Sequence, residues 1–226
     1  MPRIKAIIYD YDGTLMDTFS VIKDAYDHLS DLYNRPRPDE AYLRELLRHA
    51  TPMPQIMETL YPGIPQADLF RENAKFFTDR ISGVTTFQGV ESLLIGVQER
   101  GVLQTIVTGG DKNVLSVMEH HDILKFFASV VHCDRVSFGK PHPEGILLAL
   151  EECGVAPAEA IMVGDSPSDI LAGKNAGVAV TVGFTGGHAT RADLKAADAD
   201  HIVDSIAEMD QLLTTFITNQ SRVVAP

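Results

Sequence analysis

The chain has 226 residues, 45% of them hydrophobic, and its formal net charge is −12. This length and apolar content suffice for one sizeable core, or for a core with a smaller satellite domain. The net charge is negative, and the sequence contains no cluster of lysine and arginine residues. We therefore do not expect nucleic acid as a partner, because binding to a nucleic acid's phosphate backbone needs a basic face.

The sequence predicts a soluble cytoplasmic protein that does not associate with membranes. No apolar run reaches the ~18 residues that a membrane span needs, and the N-terminus runs directly into the first predicted strand without a signal-peptide core. The only cysteines, Cys133 and Cys153, are too few for a disulfide framework, which favours a reducing compartment. The sequence leaves open whether the protein is a monomer or a dimer.

The first predicted strand leads into a pair of carboxylates. The apolar run through Ile7 and Ile8 is typical of a buried parallel strand, and it ends at Asp10 and Asp12. Gly13 completes an Asp-Gly pair, which marks a turn. A turn beginning at residue 11 can bring both carboxylates to one point above the strand end. Because close carboxylates repel each other, such a site usually needs a cation or a shared proton.

Residues 18–84 show helical periodicity and no convincing strand, and proline residues divide them into short helices. From residue 85 onward, predicted strands alternate with predicted helices, which indicates a parallel sheet covered on both faces. We therefore predict an α/β protein. It has a Rossmann-like parallel sheet core, with helices on both faces, formed by residues 1–17 and 85–226. An all-helical cap domain, residues 18–84, is inserted into it. The predicted strands after the first cover residues 103–108, 129–132, 160–164, 178–182 and 202–203.

Polar side chains follow several of these strands. Ligands of open α/β sheets bind outside the carboxyl ends of the strands, so the residues there are the candidates for the site. They include Asp10, Thr108 with Gly109, Lys140, and Asp165 with Asp169.

This set suits metal-assisted phosphoryl chemistry. Mg²⁺ prefers oxygen ligands, so carboxylates together with a substrate oxygen suit it. Lys140 offers a cation to a phosphate, Thr108 a hydroxyl donor, and the backbone N–H groups of the turns at Tyr11 and Gly109 further donors. One carboxylate can then attack phosphorus, while the other transfers protons.

The chain resembles the haloacid dehalogenase superfamily, in particular members with a helical cap after the first strand that are similar to phosphoglycolate phosphatase and β-phosphoglucomutase. Four ordered motifs carry the resemblance: Asp10-Tyr11-Asp12-Gly13-Thr14, Thr108, Lys140, and Gly164-Asp165-Ser166-Pro167-Ser168-Asp169. It implies that Asp10 is the nucleophile, Asp12 the general acid and base, and Thr108 and Lys140 the ligands of the phosphoryl group. It also implies Mg²⁺ held by Asp10, the backbone carbonyl of Asp12 and Asp165, with Asp169 in support.

The resemblance favours a phosphatase acting on a small phosphorylated metabolite. Dehalogenases of this superfamily lack the aspartate at position 12, and phosphonate-cleaving relatives use a cap lysine, whereas no lysine occurs between Asn34 and Lys75. A phosphomutase similar to β-phosphoglucomutase is the alternative enzyme. A phospho-accepting receiver-like signalling module is the alternative from another class, since receivers also use an acidic cluster, a threonine and a lysine.

Two smaller expectations concern local structure. Ser166, Pro167 and Asp169 fit a helix N-terminus with a capping box, so Asp169 is predicted as a cap residue, as a metal-supporting residue, or as both. The segment 48–54 is predicted to face the substrate, and His49 within it is a candidate contact.

Overall fold

The computed structural model describes residues 3–48, 51, 53–80 and 83–218. Its strands are β1 (Ala6–Tyr9), β2 (Met16–Asp17), β3 (Thr85–Thr86), β4 (Leu103–Val107), β5 (Ser129–Val131), β6 (Ala160–Gly164), β7 (Val180–Phe184) and β8 (His201–Val203). Its helices are α1 (Phe19–Leu32), α2 (Glu40–Arg48), α3 (Met53–Leu60), α4 (Gln66–Asp79), α5 (Val90–Glu99), α6 (Val114–His120), α7 (Glu144–Cys153), α8 (Pro167–Ala176), α9 (Arg191–Ala196) and α10 (Ile206–Thr218).

Within the described residues, the main sheet has the strand order β5-β4-β1-β6-β7-β8, and all its pairs are parallel. β1 is central, with Ala6 opposite both Leu103 of β4 and Ala160 of β6. Side chains alternate between the faces of a strand, and Ile7 and Ile8 accordingly pack into different apolar clusters. Helices α5, α6 and α10 cover one face, while α7 and α8 cover the other. The predicted α/β fold class is confirmed.

Helices α1 to α4 form the insertion, which leaves and re-enters the core through a short antiparallel ribbon. In this ribbon β2 pairs with β3, with Met16 opposite Thr86. The insertion has its own apolar cluster, in which Leu29, Leu43 and Met57 are fully buried. We retain residues 18–84 as the proposed boundaries of the inserted domain.

The prediction was wrong in detail near the end of the chain. The strand predicted at 178–182 is displaced, since β7 begins at Val180 and extends to Phe184. Val178 instead donates its backbone N–H to Gly173 O (3.1 Å), which belongs to the end of α8. Helix α9 was not predicted. Its N-cap Thr190 forms a capping box with Asp193.

Among the described residues, no helix combines the length and apolar character needed to cross a bilayer.

Candidate active site

The first part of the site is a turn at the carboxyl end of β1. The backbone N–H of Asp10 donates to Val163 O (2.9 Å), which fixes this residue against β6. Tyr11 O then accepts hydrogen bonds from the backbone N–H groups of Leu15 (3.2 Å) and Met16 (3.0 Å), so the chain bends away from the sheet. Gly13 has a φ of 77°, a conformation that glycine adopts without a Cβ penalty.

Three carboxylates meet at the point where the sheet order reverses. From β1 the chain continues to β4 and β5 on one side of β1, and it then crosses to β6 on the other side. Ligands of such sheets bind at this switch point. Asp10 follows β1, Asp165 follows β6, and Asp169 lies in the first turn of α8. Each offers an oxygen within 4.8 Å of the others, and all three residues are buried.

Lys140 brings a cation to this cluster from the loop before α7. Its Nζ contacts Asp10 Oδ1 directly, lies 2.5 Å from Asp169 Oδ1, and donates to Val107 O at 3.1 Å. The side chain is 11% exposed. A buried ammonium group is stable only when paired, and here two carboxylates and a carbonyl provide the partners.

The pKa values of these groups reflect burial first and the neighbouring charges second. Burial raises the pKa of Asp10 to about 7, against the opposing effect of Lys140. Burial, followed by the charges of Asp10 and Asp169, raises the pKa of Asp165 well above its usual range. The pKa of Asp12 is also raised, chiefly by burial. Burial alone would lower the pKa of Lys140, but the neighbouring carboxylates outweigh it and raise this pKa.

This donor set fits a divalent cation. The cluster offers three buried carboxylate oxygens that lie close together, one each from Asp10, Asp165 and Asp169. Hard cations such as Mg²⁺ prefer carboxylate oxygens. The single ammonium group of Lys140 leaves three ionised carboxylates with a net charge of −2. A cation would therefore favour the ionised form of groups whose pKa is otherwise raised.

Asp12 and Thr108 lie beside Gly110, next to the cluster. A methyl group placed on Gly110 would be 3.3 Å from Thr108 Oγ1 and 3.7 Å from Asp12 Oδ2. The Thr108 hydroxyl accepts a hydrogen bond from Gly110 N (2.9 Å). Asp12 is half-buried, and its charge contributes to the raised pKa of Asp10. The two side chains therefore lie close to each other, beside Gly110.

Tyr11 and Gly109 are the other phosphate ligands that the sequence predicts. Gly109 is exposed at the end of β4, whereas the Tyr11 side chain is buried in the apolar cluster of the core.

The predicted capping box is present: Asp169 Oδ2 accepts from Ser166 N (3.0 Å) and Ser166 Oγ (2.6 Å). Because Asp169 Oδ1 faces Lys140, one carboxylate both caps α8 and belongs to the cluster.

The sequence prediction missed the loop after β7. The backbone N–H of His188 donates to Asp165 Oδ2 (2.7 Å), and a Cβ at Gly187 would collide with the same carboxylate and with Gly13 O. Burial, and then the charge of Arg44, lower the pKa of His188 to about 4. The sequence signal for this close approach is the pair Gly186-Gly187, which begins two residues after the end of β7. Of the segment 48–54, His49 and its neighbours at positions 50 and 52 lie outside the described residues.

Comparison with known proteins identifies the family. Residues 7–182 match the sequence profile of the haloacid dehalogenase-like hydrolase family. The chain belongs to this family. The resemblance inferred from the four motifs is thereby confirmed, as is the prediction that the protein is a hydrolase.

Several known proteins are similar to this chain over nearly its whole length. A pyrophosphatase, PpaX from Oceanobacillus iheyensis, is 28% identical over 220 residues, covering 91% of this chain and 95% of its own. A phosphoglycolate phosphatase from Vibrio vulnificus is 28% identical over 217 residues, covering 92% and 95%. The crystal structure of CbbY from Rhodobacter sphaeroides in complex with phosphate superposes with a TM-score of 0.80. It is 26% identical and covers 91% of this chain and 96% of its own.

Proposed function

We propose that the protein is a Mg²⁺-dependent phosphatase that hydrolyses a small phosphorylated metabolite through an aspartyl-phosphate on Asp10. The observation that carries this proposal is the contact of Lys140 with both Asp10 and Asp169 in a buried carboxylate cluster. This arrangement combines a carboxylate nucleophile with the positive charge that an anionic phosphoryl group needs. The relatives named phosphatase and pyrophosphatase support a phosphoryl substrate.

The residues divide the proposed reaction into two transfers. In the first, a carboxylate oxygen of Asp10 forms a bond to phosphorus while the ester P–O bond breaks, and the leaving oxygen takes a proton from Asp12. In the second, the Asp12 carboxylate accepts a proton from a water molecule that attacks phosphorus, which releases inorganic phosphate and the free Asp10 carboxylate. The raised pKa of Asp12 suits a group that must hold a proton in one step and accept it in the next.

The remaining residues bind and orient the phosphoryl group. Lys140 neutralises charge beside Asp10, the Thr108 hydroxyl donates to a phosphoryl oxygen, and the backbone N–H groups of Tyr11 and Gly109 are proposed as further donors. Asp10, Asp165 and the backbone carbonyl of Asp12 would hold Mg²⁺, with Asp169 in support. When bound, Mg²⁺ supplies charge neutralisation at the transferring phosphoryl group.

We propose that the helical insertion acts as a cap over this site, because the ribbon of β2 and β3 joins it to the chain directly after the catalytic turn. A cap excludes bulk water and contacts the leaving group. We also place the reaction in the cytoplasm, where the free thiols of Cys133 and Cys153 remain reduced. The proposed partner is the small phosphate monoester itself.

The proposal is tested with p-nitrophenyl phosphate in the presence and absence of Mg²⁺. The wild-type protein should hydrolyse this ester only with the metal, and Asp10→Asn, which keeps the size of the side chain, should be inactive. No hydrolysis by the wild type, or equal hydrolysis by Asp10→Asn, would contradict the proposal. Single turnover with and without an added sugar phosphate separates a phosphatase from a phosphomutase, because only a mutase transfers the phosphoryl group to the sugar.

A further inference from the structure

A cavity of ≈ 270 Å³ lies between the helical insertion and the core. Its lining includes Gly13, Asp17, Phe19, Arg44, Gly187 and His188. The glycines at 13 and 187 also pack against the carboxylate of Asp165, because a Cβ on either would collide with it. A group bound in this cavity therefore lies next to the carboxylate cluster, on the side covered by the insertion.

Arg44 of α2 points a guanidinium group into this cavity in a fixed orientation. Its Cζ lies 3.4 Å from the centroid of the Phe19 ring, a close cation–π contact. Its Nε and Nη2 lie 3.1 Å and 3.0 Å from Glu40 Oε1. These contacts use two of the five N–H donors of a guanidinium group. The ring and the carboxylate thus hold Arg44 in place and leave further donors for a ligand.

The charges around the cavity indicate what it accepts. Among the lining residues that the structure describes, Arg44 is the one arginine or lysine, and Asp17 is the one carboxylate. A planar guanidinium group binds carboxylates and phosphates through paired hydrogen bonds, which an exposed aspartate does not. An anionic group entering the cavity is therefore expected at Arg44 and not at Asp17.

We propose that Arg44 determines specificity by binding a second anionic group, a carboxylate or a phosphate, on the leaving-group side of the substrate. This inference rests on the proposed phosphatase function and extends it to a substrate class: phosphate esters and anhydrides whose leaving group is itself an anion. Phe19 and Glu40 act as positioning residues for Arg44.

The test compares substrates that differ in one charge. A phosphorylated hydroxy acid and its primary carboxamide have almost the same size, but only the acid carries a second anion. Inorganic pyrophosphate is the third substrate, and it distinguishes a phosphate from a carboxylate as the second group. For each variant, the quantity compared is kcat/KM for the acid, or for pyrophosphate, divided by kcat/KM for the amide.

Three variants decide the role of Arg44. Arg44→Met removes the charge and keeps much of the side-chain length. Arg44→Lys keeps the charge but lacks the paired N–H donors of the planar guanidinium group. Arg71→Met is the control. Arg71 is an exposed arginine of the same insertion that pairs with Asp68 (2.8 Å). Thermal denaturation of each variant verifies that it is folded.

The ratio of acid to amide should fall about 10- to 100-fold in Arg44→Met, as expected for a lost hydrogen bond to a charged group. The fall should arise mainly from a higher KM for the acid. Arg44→Lys should recover part of the ratio, and Arg71→Met should keep the wild-type ratio. An unchanged ratio, or an equal loss for acid and amide, would overturn the inference while leaving the phosphatase proposal intact. If the wild type hydrolyses neither these substrates nor p-nitrophenyl phosphate with Mg²⁺, the phosphatase proposal fails, and the inference fails with it.

Discussion

Lys140 Nζ lies 2.5 Å from Asp169 Oδ1 and also contacts Asp10, so one ammonium group joins the end of β1 to the first turn of α8. Asp10 and Asp169 are brought together because β1 and β6 are neighbours in the sheet, and Lys140 reaches both from the loop before α7. Strand order therefore determines the geometry of the site.

Replacing Lys140 tests this junction. Lys140→Met leaves Asp10 and Asp169 without their shared cation, and we expect kcat/KM for p-nitrophenyl phosphate to fall about 100-fold or more, since a buried charge at a reacting group is costly to lose. The exposed Lys112 provides the matched control Lys112→Met, which should keep wild-type activity. Equal activity of the two variants would remove Lys140 from the mechanism.

Asp12→Ala tests the proton-transfer role. This variant should still bind inorganic phosphate, because the Lys140 contacts are unchanged, but kcat should fall about 100- to 10,000-fold, the usual contribution of a general acid or base. Calorimetric titration with phosphate and steady-state kinetics measure the two properties. Asp24→Asn, on the exposed surface of α1, controls for the loss of one negative charge. Turnover like that of the wild type in Asp12→Ala would contradict the assignment.

Gly187→Ala tests the loop that the sequence did not reveal. The added methyl group would collide with the Asp165 carboxylate and with Gly13 O, so the loop or the carboxylate must move. We expect the Mg²⁺ concentration for half-maximal activity to rise about 10-fold or more, as for other disturbed supports of metal ligands. In Gly83→Ala the nearest neighbour would be a Val21 methyl at 3.7 Å, an ordinary contact, and this control should be unaffected. An unchanged metal requirement in Gly187→Ala would contradict the supporting role of this loop.

The hydrogen bonds between Thr181 of β7 and Asp200, directly before β8, predict a pH dependence of stability. Partial burial would raise the pKa of Asp200, but hydrogen bonds from Thr181 N (2.7 Å) and Thr181 Oγ1 (2.8 Å) outweigh it and lower this pKa. The folded state then binds fewer protons than the unfolded state, so this contribution is present above the unfolded pKa and is lost as the pH falls. Asp200→Asn should therefore lower Tm above about pH 5, and the difference should shrink as the pH falls below the unfolded pKa of about 3.9. A Tm difference that does not depend on pH would contradict this account.

The sequence was sufficient to predict those elements and site residues that a local pattern or a position at a strand end specifies. The strand before Asp10 and the capping box of Asp169 could both be predicted, because apolar runs and cap residues are local signals. The ribbon of β2 and β3 was missed because strands as short as Met16–Asp17 show no alternation. Helix α9 was missed although Thr190 and Asp193 carry a capping-box spacing that could have revealed it.

Other features depend on the tertiary structure. His188 contacts Asp165 through its backbone N–H, which side-chain chemistry does not encode. Arg44 lies in an ordinary amphipathic helix, and only the packing of α2 against Phe19 places it at the cavity. The start of β7 was misplaced because Val178 and Ala179 are apolar like the strand residues that follow them.

The most direct test of the account is to trap the phosphoryl group on Asp10. Asp12→Asn lacks the group that activates water, whereas p-nitrophenolate leaves without needing a proton, so this variant should accumulate the aspartyl-phosphate when mixed with p-nitrophenyl phosphate and Mg²⁺. After an acid quench, borohydride reduces an acyl phosphate to an alcohol, which marks the phosphorylated residue for peptide mass spectrometry. The account predicts homoserine at position 10, absent without substrate and absent in Asp10→Asn. Hydrolysis without a mark at position 10, or with the mark on another carboxylate, would contradict it.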